Sequence, residues 1–584
     1  MGHPIHTSAR RHVLRLGQAL PGLWYRLGLG ETSLVVLVSA ATGLLAGAAI
    51  VGFYRLLALA GDLVAVATPH LTLADHAGQA AIVLVGLGLA RLLVRVGAHD
   101  SPGENVPDLM RAVARGDGDL PERPILAKTL AAALVLGTGG SVGAEGPVAV
   151  LGAGTASTWG RWLALGPERR RLLIGCGAAA GISGAFGAPI AGLFFASEKI
   201  LGGIAPTSLT PVIVSSVTAA AVSHNLMPPG HALIRVPEAL GTGLLPALWL
   251  SALAGLGGGA LGVGYTRIIW GCRDALSRLP LAVRLLLAAG AVAGAYTIFG
   301  GGLLGVGAFA LAPLDGHGAP WLLTAALVKM VITGLCLAAA EVGGLFAPAL
   351  ITGGLAGAAL GQLAQVLGVA PSGSVPGFAL LGMAALVAGS AHAPLTAIFI
   401  VLELSGDWGL ILPLLLTAAL ALVVARGLSP ESVYTEWLAR RGEKISHGTD
   451  EGLLGQLRVA DAMRRDAILL RDTLPAVTAL AQLEGSSQLE CAVVDADGQL
   501  AGMLTVSDWR RASRLPAEEL AAPIATLASP PGPHVRPDDS LLLALRRLAE
   551  GGGLLLPVIA PASGRVVGVI GRREVFAAYE RARA

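Results

Sequence analysis

The chain has 584 residues and a formal net charge of +3; 54% of its residues are hydrophobic and only 14% are charged. Soluble chains average about 25% charged residues, so most of this one must lie in lipid or inside a membrane bundle. The small charge excess gives no footing for a nucleic-acid partner, and Cys176, Cys272, Cys336 and Cys491 show neither metal spacing nor a disulfide framework.

In chain order, residues 1–32 form a basic N-terminal helix carrying Arg10, Arg11, Arg15 and Arg26. Positive charge before a first long span keeps that end in the cytoplasm, and no small-residue cleavage site marks a secretory signal. Apolar runs follow at Ser33–Phe53, Ala80–Ala90, Leu245–Gly264, Trp321–Ala340 (interrupted by Lys329) and Leu410–Ala425. Others, such as Pro147–Ala156 and Pro189–Ala196, are too short for a hydrocarbon core of about 30 Å. Broken spans are tolerated only around a cavity or inside protein, which favours a transporter or channel over an anchor. Hydrophobicity falls after residue 428; 429–455 reads as a final helix and linker, and the rest has soluble α/β character. The Ala/Gly/Leu/Arg-rich composition suggests a bacterial inner membrane, with both termini cytoplasmic.

The membrane part repeats. Gly187–Glu198 (GAPIAGLFFASE) and His392–Glu403 (HAPLTAIFIVLE) share Ala-Pro, Phe and a final Glu 205 residues apart. Gly146-Pro147 with Gly152 parallels Ala347-Pro348 with Gly353 at a spacing of 201. Two duplicated halves are therefore expected within a transmembrane domain of 33–428, at about 33–230 and 245–428. Such halves point to a binding site near mid-membrane; these spacings leave open whether they are inverted or parallel.

Three segments share a Gly-bearing loop followed by a helix-opening proline: Gly103–Pro107 (GENVP), Gly143–Pro147 (GAEGP) and Gly343–Pro348 (GGLFAP). Proline suits the first helical turn, and glycines such as Gly143 and Gly146 let the backbone turn free N–H groups toward an anion at the helix N-terminus. No fixed cation need touch the ion, so it can leave again. Glu145 sits inside the second loop, where a carboxylate can occupy the anion site as a tethered competitor. A glutamate that merely caps the helix is the blander alternative.

GGSVGAEGPVAVLGAG (Gly139–Gly154), GAAAGISGAFGAPIAGLFFASE (Gly177–Glu198), GGLFAPALITGGLAG (Gly343–Gly357), APLTAIFIVLELSGDWGLILP (Ala393–Pro413) and SVY (Ser432–Tyr434) resemble the CLC chloride channel and transporter family. The resemblance covers about residues 33–440 and implies an all-α polytopic membrane protein with two inverted repeat halves and roughly eighteen helices. It also implies a homodimer in lipid, with a chloride pathway in each subunit. It makes Glu145 the gating glutamate, Leu345 and Phe346 the source of backbone amides around the central anion, and Tyr434 the hydroxyl meeting that anion from inside. Lys128 falls where the family keeps a buried lysine that makes the pathway electropositive; a snorkelling lysine is the alternative.

Three positions depart from the family pattern. Lys199 stands where exchangers carry a proton-relaying glutamate, which puts coupled exchange in doubt. GENVP replaces the usual GSGIP and sets Glu104 where a serine hydroxyl normally meets the ion; Ser101 or Asn105 could substitute, leaving chloride, nitrate and fluoride open. Ala144 replaces a common arginine, and Glu341 just before GGLFAP reads as a packed helix-end glutamate.

The tail shows two strand–turn–strand–helix copies. Cys491–Asp495 with Leu500–Val506 is matched by Leu555–Ile559 with Val566–Ile570. It resembles a CBS pair, with modules at 456–513 and 518–584. Thr505–Asp508 (TVSD) fits the pair's ribose-holding pattern and Gly571–Glu574 does not, so an adenine nucleotide is the one cofactor suggested; a dimerising scaffold is the alternative. Two other classes are disfavoured. No histidine begins the HExxH of an intramembrane metalloprotease, and acids are too sparse for a divalent-cation channel.

Overall fold

A computed structural model describes residues 31–67, 76–98, 105–114, 118–227, 243–300, 314, 316–443, 454–455, 457–484, 486, 488–551 and 553–583. Ser101, Glu104, the basic N-terminal stretch and most of the linker lie outside the described residues. The chain divides into two compact units, Met1–Ile445 and Ser446–Ala584.

Sixteen α-helices occupy the described part of the first unit, and among the described residues eight helices are long and apolar enough to span a bilayer. Their order runs α1 (Glu31–Ala67), α2 (His76–Gly97), α3 (Asn105–Ala114), α4 (Glu122–Gly137), α5 (Glu145–Trp162), α6 (Pro167–Phe186), α7 (Pro189–Phe195) and α8 (Pro206–Leu226). It continues with α9 (Leu244–Ser277), α10 (Leu281–Phe299), α11 (Ala319–Ala340), α12 (Phe346–Val366), α13 (Val375–Ala391), α14 (Pro394–Ser405), α15 (Ile411–Leu428) and α16 (Thr435–Arg440). From α4 onward the first series returns as α11 to α15. Prolines open α6, α7, α8, α11, α13 and α14 at positions where no N–H is needed.

The repeat is visible in packing. A Cβ on Gly152 would lie 2.1 Å from the Gly177 carbonyl, which lets α5 and α6 touch backbone to backbone. A Cβ on Gly353 would lie 2.3 Å from the Gly382 carbonyl, and the same approach joins α12 to α13. With no hydrophobic drive between helices in lipid, such small-residue seams supply the dispersion contact that holds them.

Two carboxylates then lock the halves together reciprocally. Glu198 accepts the N–H groups of Leu395 (3.0 Å) and Thr396 (2.9 Å) at the start of α14. Glu403 accepts those of Ile190 (2.9 Å) and Ala191 (2.8 Å) at the start of α7. Each glutamate caps the helix of the opposite half, as a pseudo-two-fold axis between the halves requires. These are charge-assisted bonds to otherwise orphaned amides. Glu403→Ala is therefore expected to cost about 3 kcal/mol, since each lost bond to a charged group is worth roughly 1.5–3 kcal/mol. A thermal melt of the purified protein checks it; an unchanged midpoint would show that the caps do not hold the halves.

The second unit holds β1 (Leu469–Arg471), α17 (Ala476–Glu484), β2 (Cys491–Val494), β3 (Leu500–Leu504), α18 (Val506–Ala512), α19 (Ala517–Leu520), α20 (Leu541–Gly551), β4 (Leu555–Ile559), β5 (Val566–Gly571) and α21 (Arg572–Arg583). β1 pairs parallel with β2 and β2 antiparallel with β3; β4 and β5 form the equivalent antiparallel pair. The buried Glu490 carboxylate accepts the Leu554 and Leu555 N–H groups at 2.7 and 3.1 Å, tying one module to the next. Burial pushes the Cys491 thiol up to about 12, and its Sγ donates to the Ile468 carbonyl, so it is a packed thiol and not a reactive one.

Candidate anion site

The site forms where the loops before α5 and α12 meet. Gly143 and Gly344 exchange two backbone hydrogen bonds, each 2.8 Å, in a short antiparallel bridge. Beside it the hydroxyls of Ser141 and Thr333 lie 2.9 Å apart. The N-termini of α5 and α12 therefore face one small volume, and the unpaired amides of each first turn carry partial positive charge into it. Both helices have their proline at the third position, Pro147 and Pro348, and neither has a side-chain cap.

Glu145 fills that volume. It is fully buried, and its Oε1 accepts the Phe346 N–H at 2.5 Å. Its Oε2 is buried without a hydrogen-bond partner among the described residues. The two bridging glycines make room for the carboxylate: a Cβ on Gly143 would sit 2.1 Å from Oε2, and one on Gly344 would sit 2.0 Å from Oε1. Glu145 reaches across to the other half and does not simply cap its own helix. The carboxylate is bonded to an amide at the tip of the opposite helix.

The remaining predicted residues gather around this point to different degrees. Phe346 is buried against Phe195 and Phe186, with ring centroids 6.3 Å away in both cases. Leu345 offers its carbonyl to the Tyr265 hydroxyl at 2.8 Å, which orients the peptide leading into α12. Tyr434 is buried just before α16, within electrostatic range of Glu145. Asn105 uses its amide N–H on the Gly343 carbonyl at 3.2 Å and lies 3.1 Å from where a Cβ on Gly146 would stand. It braces the loops.

The structure gives partners to Lys128, Lys199 and Glu341. Lys128 is buried, as the resemblance implies, and does not snorkel; its Nζ lies 3.0 Å from the Asp108 carboxylate. Lys199 lies in a π-helical turn, Ala196–Ile200, and donates to the Ala391 carbonyl at 2.5 Å, the last residue of α13. A helix C-terminus favours a cation, so the side chain acts there as a cap. Glu341 ends α11 in a left-handed conformation and pairs with Arg91 at 2.5 Å and Arg284 at 3.8 Å.

Sequence reasoning missed Gly344, Tyr265 and Asp108. Gly344 was within reach, because it sits 201 residues after Gly143, the spacing already found for the repeat. Tyr265 left only a weak signal, a lone tyrosine in an apolar run. In the tail, Asp508 is buried and its oxygens are taken by the Thr505 N–H and hydroxyl, the Ser529 hydroxyl and Arg511. Thr505 and Asp508 together make a capping box for α18.

Broken helices from two repeated halves, meeting tip to tip over a buried carboxylate, together with the long apolar helices, define a membrane protein of the transporter or channel class. Residues 81–426 match the family model described as "Voltage gated chloride channel", and residues 459–515 and 524–581 match the CBS domain. The chain belongs to that chloride channel family and ends in a CBS pair. It is 36% identical over 370 residues to a putative chloride channel protein ClcB-like of Ralstonia nicotianae, covering 60% of this chain and 83% of that protein. It is 31% identical over 438 residues to the H(+)/Cl(−) exchange transporter ClcA of Yersinia pseudotuberculosis, covering 70% and 88%. Among solved structures it is similar to a slow cyanobacterial Cl−/H+ antiporter (TM-score 0.61, 25% identity, 71% of this chain and 98% of that one). A eukaryotic CLC transporter shares the fold across both units (TM-score 0.61, 18% identity, 93% and 99%).

Proposed function

We propose that the protein carries chloride across a membrane, with Glu145 as a tethered anion that alternates with the ion at the tips of α5 and α12. The observation behind this is the Phe346 amide bonded to the Glu145 carboxylate inside a fully buried, glycine-lined space. Chloride enters by displacing the carboxylate, and backbone donors hold it weakly enough for onward release. Two subunits, each with its own pathway, and both termini in the cytoplasm of a bacterial inner membrane complete the reading.

Transport is proposed to be uncoupled from protons. Lys199 is bonded to the Ala391 carbonyl and placed on a helix C-terminus, and both contacts favour a retained ammonium. A fixed cation there opposes passage of a proton. The alternative is exchange through another proton route, favoured by the relative named as an H(+)/Cl(−) exchanger. Chloride efflux and proton movement, recorded together from liposomes under an imposed chloride gradient, decide between them. Chloride efflux without proton uptake is expected; uphill proton movement would refute the uncoupled reading, and no efflux at all would refute chloride transport.

A further inference from the structure

The segment bearing Tyr434 is held on both sides of a single peptide. The Val433 N–H donates to the Ser390 carbonyl at 2.8 Å, in the last turn of α13. The Val433 carbonyl accepts the indole N–H of Trp270 at 3.3 Å, from α9. Two guanidinium groups lie over the Trp270 ring: Arg273 and Arg440 are each 5.1 Å from its centroid. Arg440 ends α16, and it holds both oxygens of Asp274 at 2.7 Å and Glu436 at 2.7 Å. The short helix after Tyr434 is thus fastened to α9 at both ends, by Trp270 at its start and by the Arg440–Asp274 fork at its finish. Five residues before Trp270 on α9, Tyr265 holds the Leu345 carbonyl. One helix pins both loops that face the anion.

We propose that Trp270 is a positioning residue of the pathway: its indole N–H sets the Val433 peptide, and through it the place of the Tyr434 hydroxyl. This rests on reading Tyr434 as the hydroxyl that meets the anion from inside. An indole only donates, so it cannot swing to satisfy some other donor, and cations over its ring favour one orientation. A group that contacts an ion must be kept in place by neighbours whose own rotamers are locked. The contacts of Arg273 and Arg440 with the Trp270 ring supply that lock, and Lys199, bonded to Ala391 beside Ser390, steadies the α13 end of the same peptide.

Trp270→Phe keeps an aromatic ring beside the arginines and removes the indole N–H together with the five-membered ring that carries it. Chloride binding is measured by titration calorimetry on the full-length protein, for Trp270→Phe, Tyr434→Phe and the double variant. We expect Trp270→Phe and Tyr434→Phe each to weaken binding about fivefold, and the double variant to lose no more than about twofold beyond Tyr434→Phe, because residues acting through one another are not additive. Arg440→Ala, which removes the tie to Asp274 and the cation over Trp270, should show the same non-additivity and serves if Trp270→Phe does not fold. Equal losses from Trp270→Phe with and without the Tyr434 hydroxyl would overturn the proposal by showing packing alone. So would unchanged binding in Trp270→Phe while Tyr434→Phe weakens it. If Tyr434→Phe alone changes nothing, the reading of Tyr434 fails, and the proposal falls with it.

Discussion

Glu145→Gln is expected to raise chloride efflux from liposomes about tenfold, the equivalent of removing roughly 1.4 kcal/mol of competition for the site. The carboxylate is tethered beside the site, so its effective concentration is high whatever the chloride level. Its Oε1 takes the Phe346 amide, a bond that is shorter and stronger with an ionised acceptor. The Oε2 is buried without a partner among the described residues, and burying an unbonded charged oxygen is costly. The closed arrangement therefore combines one strong bond with one unmet oxygen, which leaves it poised to open. A glutamine has no charge to compete with chloride for the amide. Unchanged efflux in Glu145→Gln would mean that the side chain is a structural cap.

Gly143→Ala is expected to reproduce that increase while leaving Glu145 in the sequence. The three atoms nearest an added Cβ all belong to the Glu145 carboxyl: Oε2 at 2.1 Å, Oε1 at 2.3 Å and Cδ at 2.5 Å. Gly143 is absent from the left-handed backbone positions among the described residues, so alanine meets no conformational penalty. The backbone pair with Gly344 involves only N–H and carbonyl groups and survives the change. The flexible side chain is what must move, and eviction opens the site. Efflux in Gly143→Ala and Glu145→Gln should rise by the same factor in the same assay. A Gly143→Ala protein that folds and transports at the wild-type rate would show that Glu145 does not rest where the structure puts it.

Much of this was legible because membranes punish irregular backbone. The proline pairs Gly146-Pro147 and Ala347-Pro348 marked the helix breaks, and the 201 and 205 spacings marked the halves. The strands of the tail showed in short apolar runs around Cys491 and Val566, although the three-residue β1 was too short to leave a pattern. Partnerships were less readable. Lys128 finds Asp108 from twenty residues away on another helix, and nothing in the local sequence of either signals the pairing. Glu198 and Glu403 stood out as the ends of matched motifs, yet their exchange across the halves depends on how two helices approach in space. Lys199 was visible as a departure from the family pattern; its bond to Ala391 required the fold. The role of Trp270 likewise comes from α9 passing beside Val433, a contact between residues far apart in the chain.

The central claim is that the amide of Phe346 serves a bound anion and the Glu145 carboxylate in turn. Anomalous diffraction from crystals grown in bromide tests it most directly. In Glu145→Gln a bromide peak should lie within hydrogen-bonding distance of the Phe346 amide, at the place the wild-type carboxylate fills, and the peak there should be weak or missing in the wild type. A bromide held equally in both proteins, or one found in Glu145→Gln only at sites remote from Gly143 and Phe346, would contradict the account.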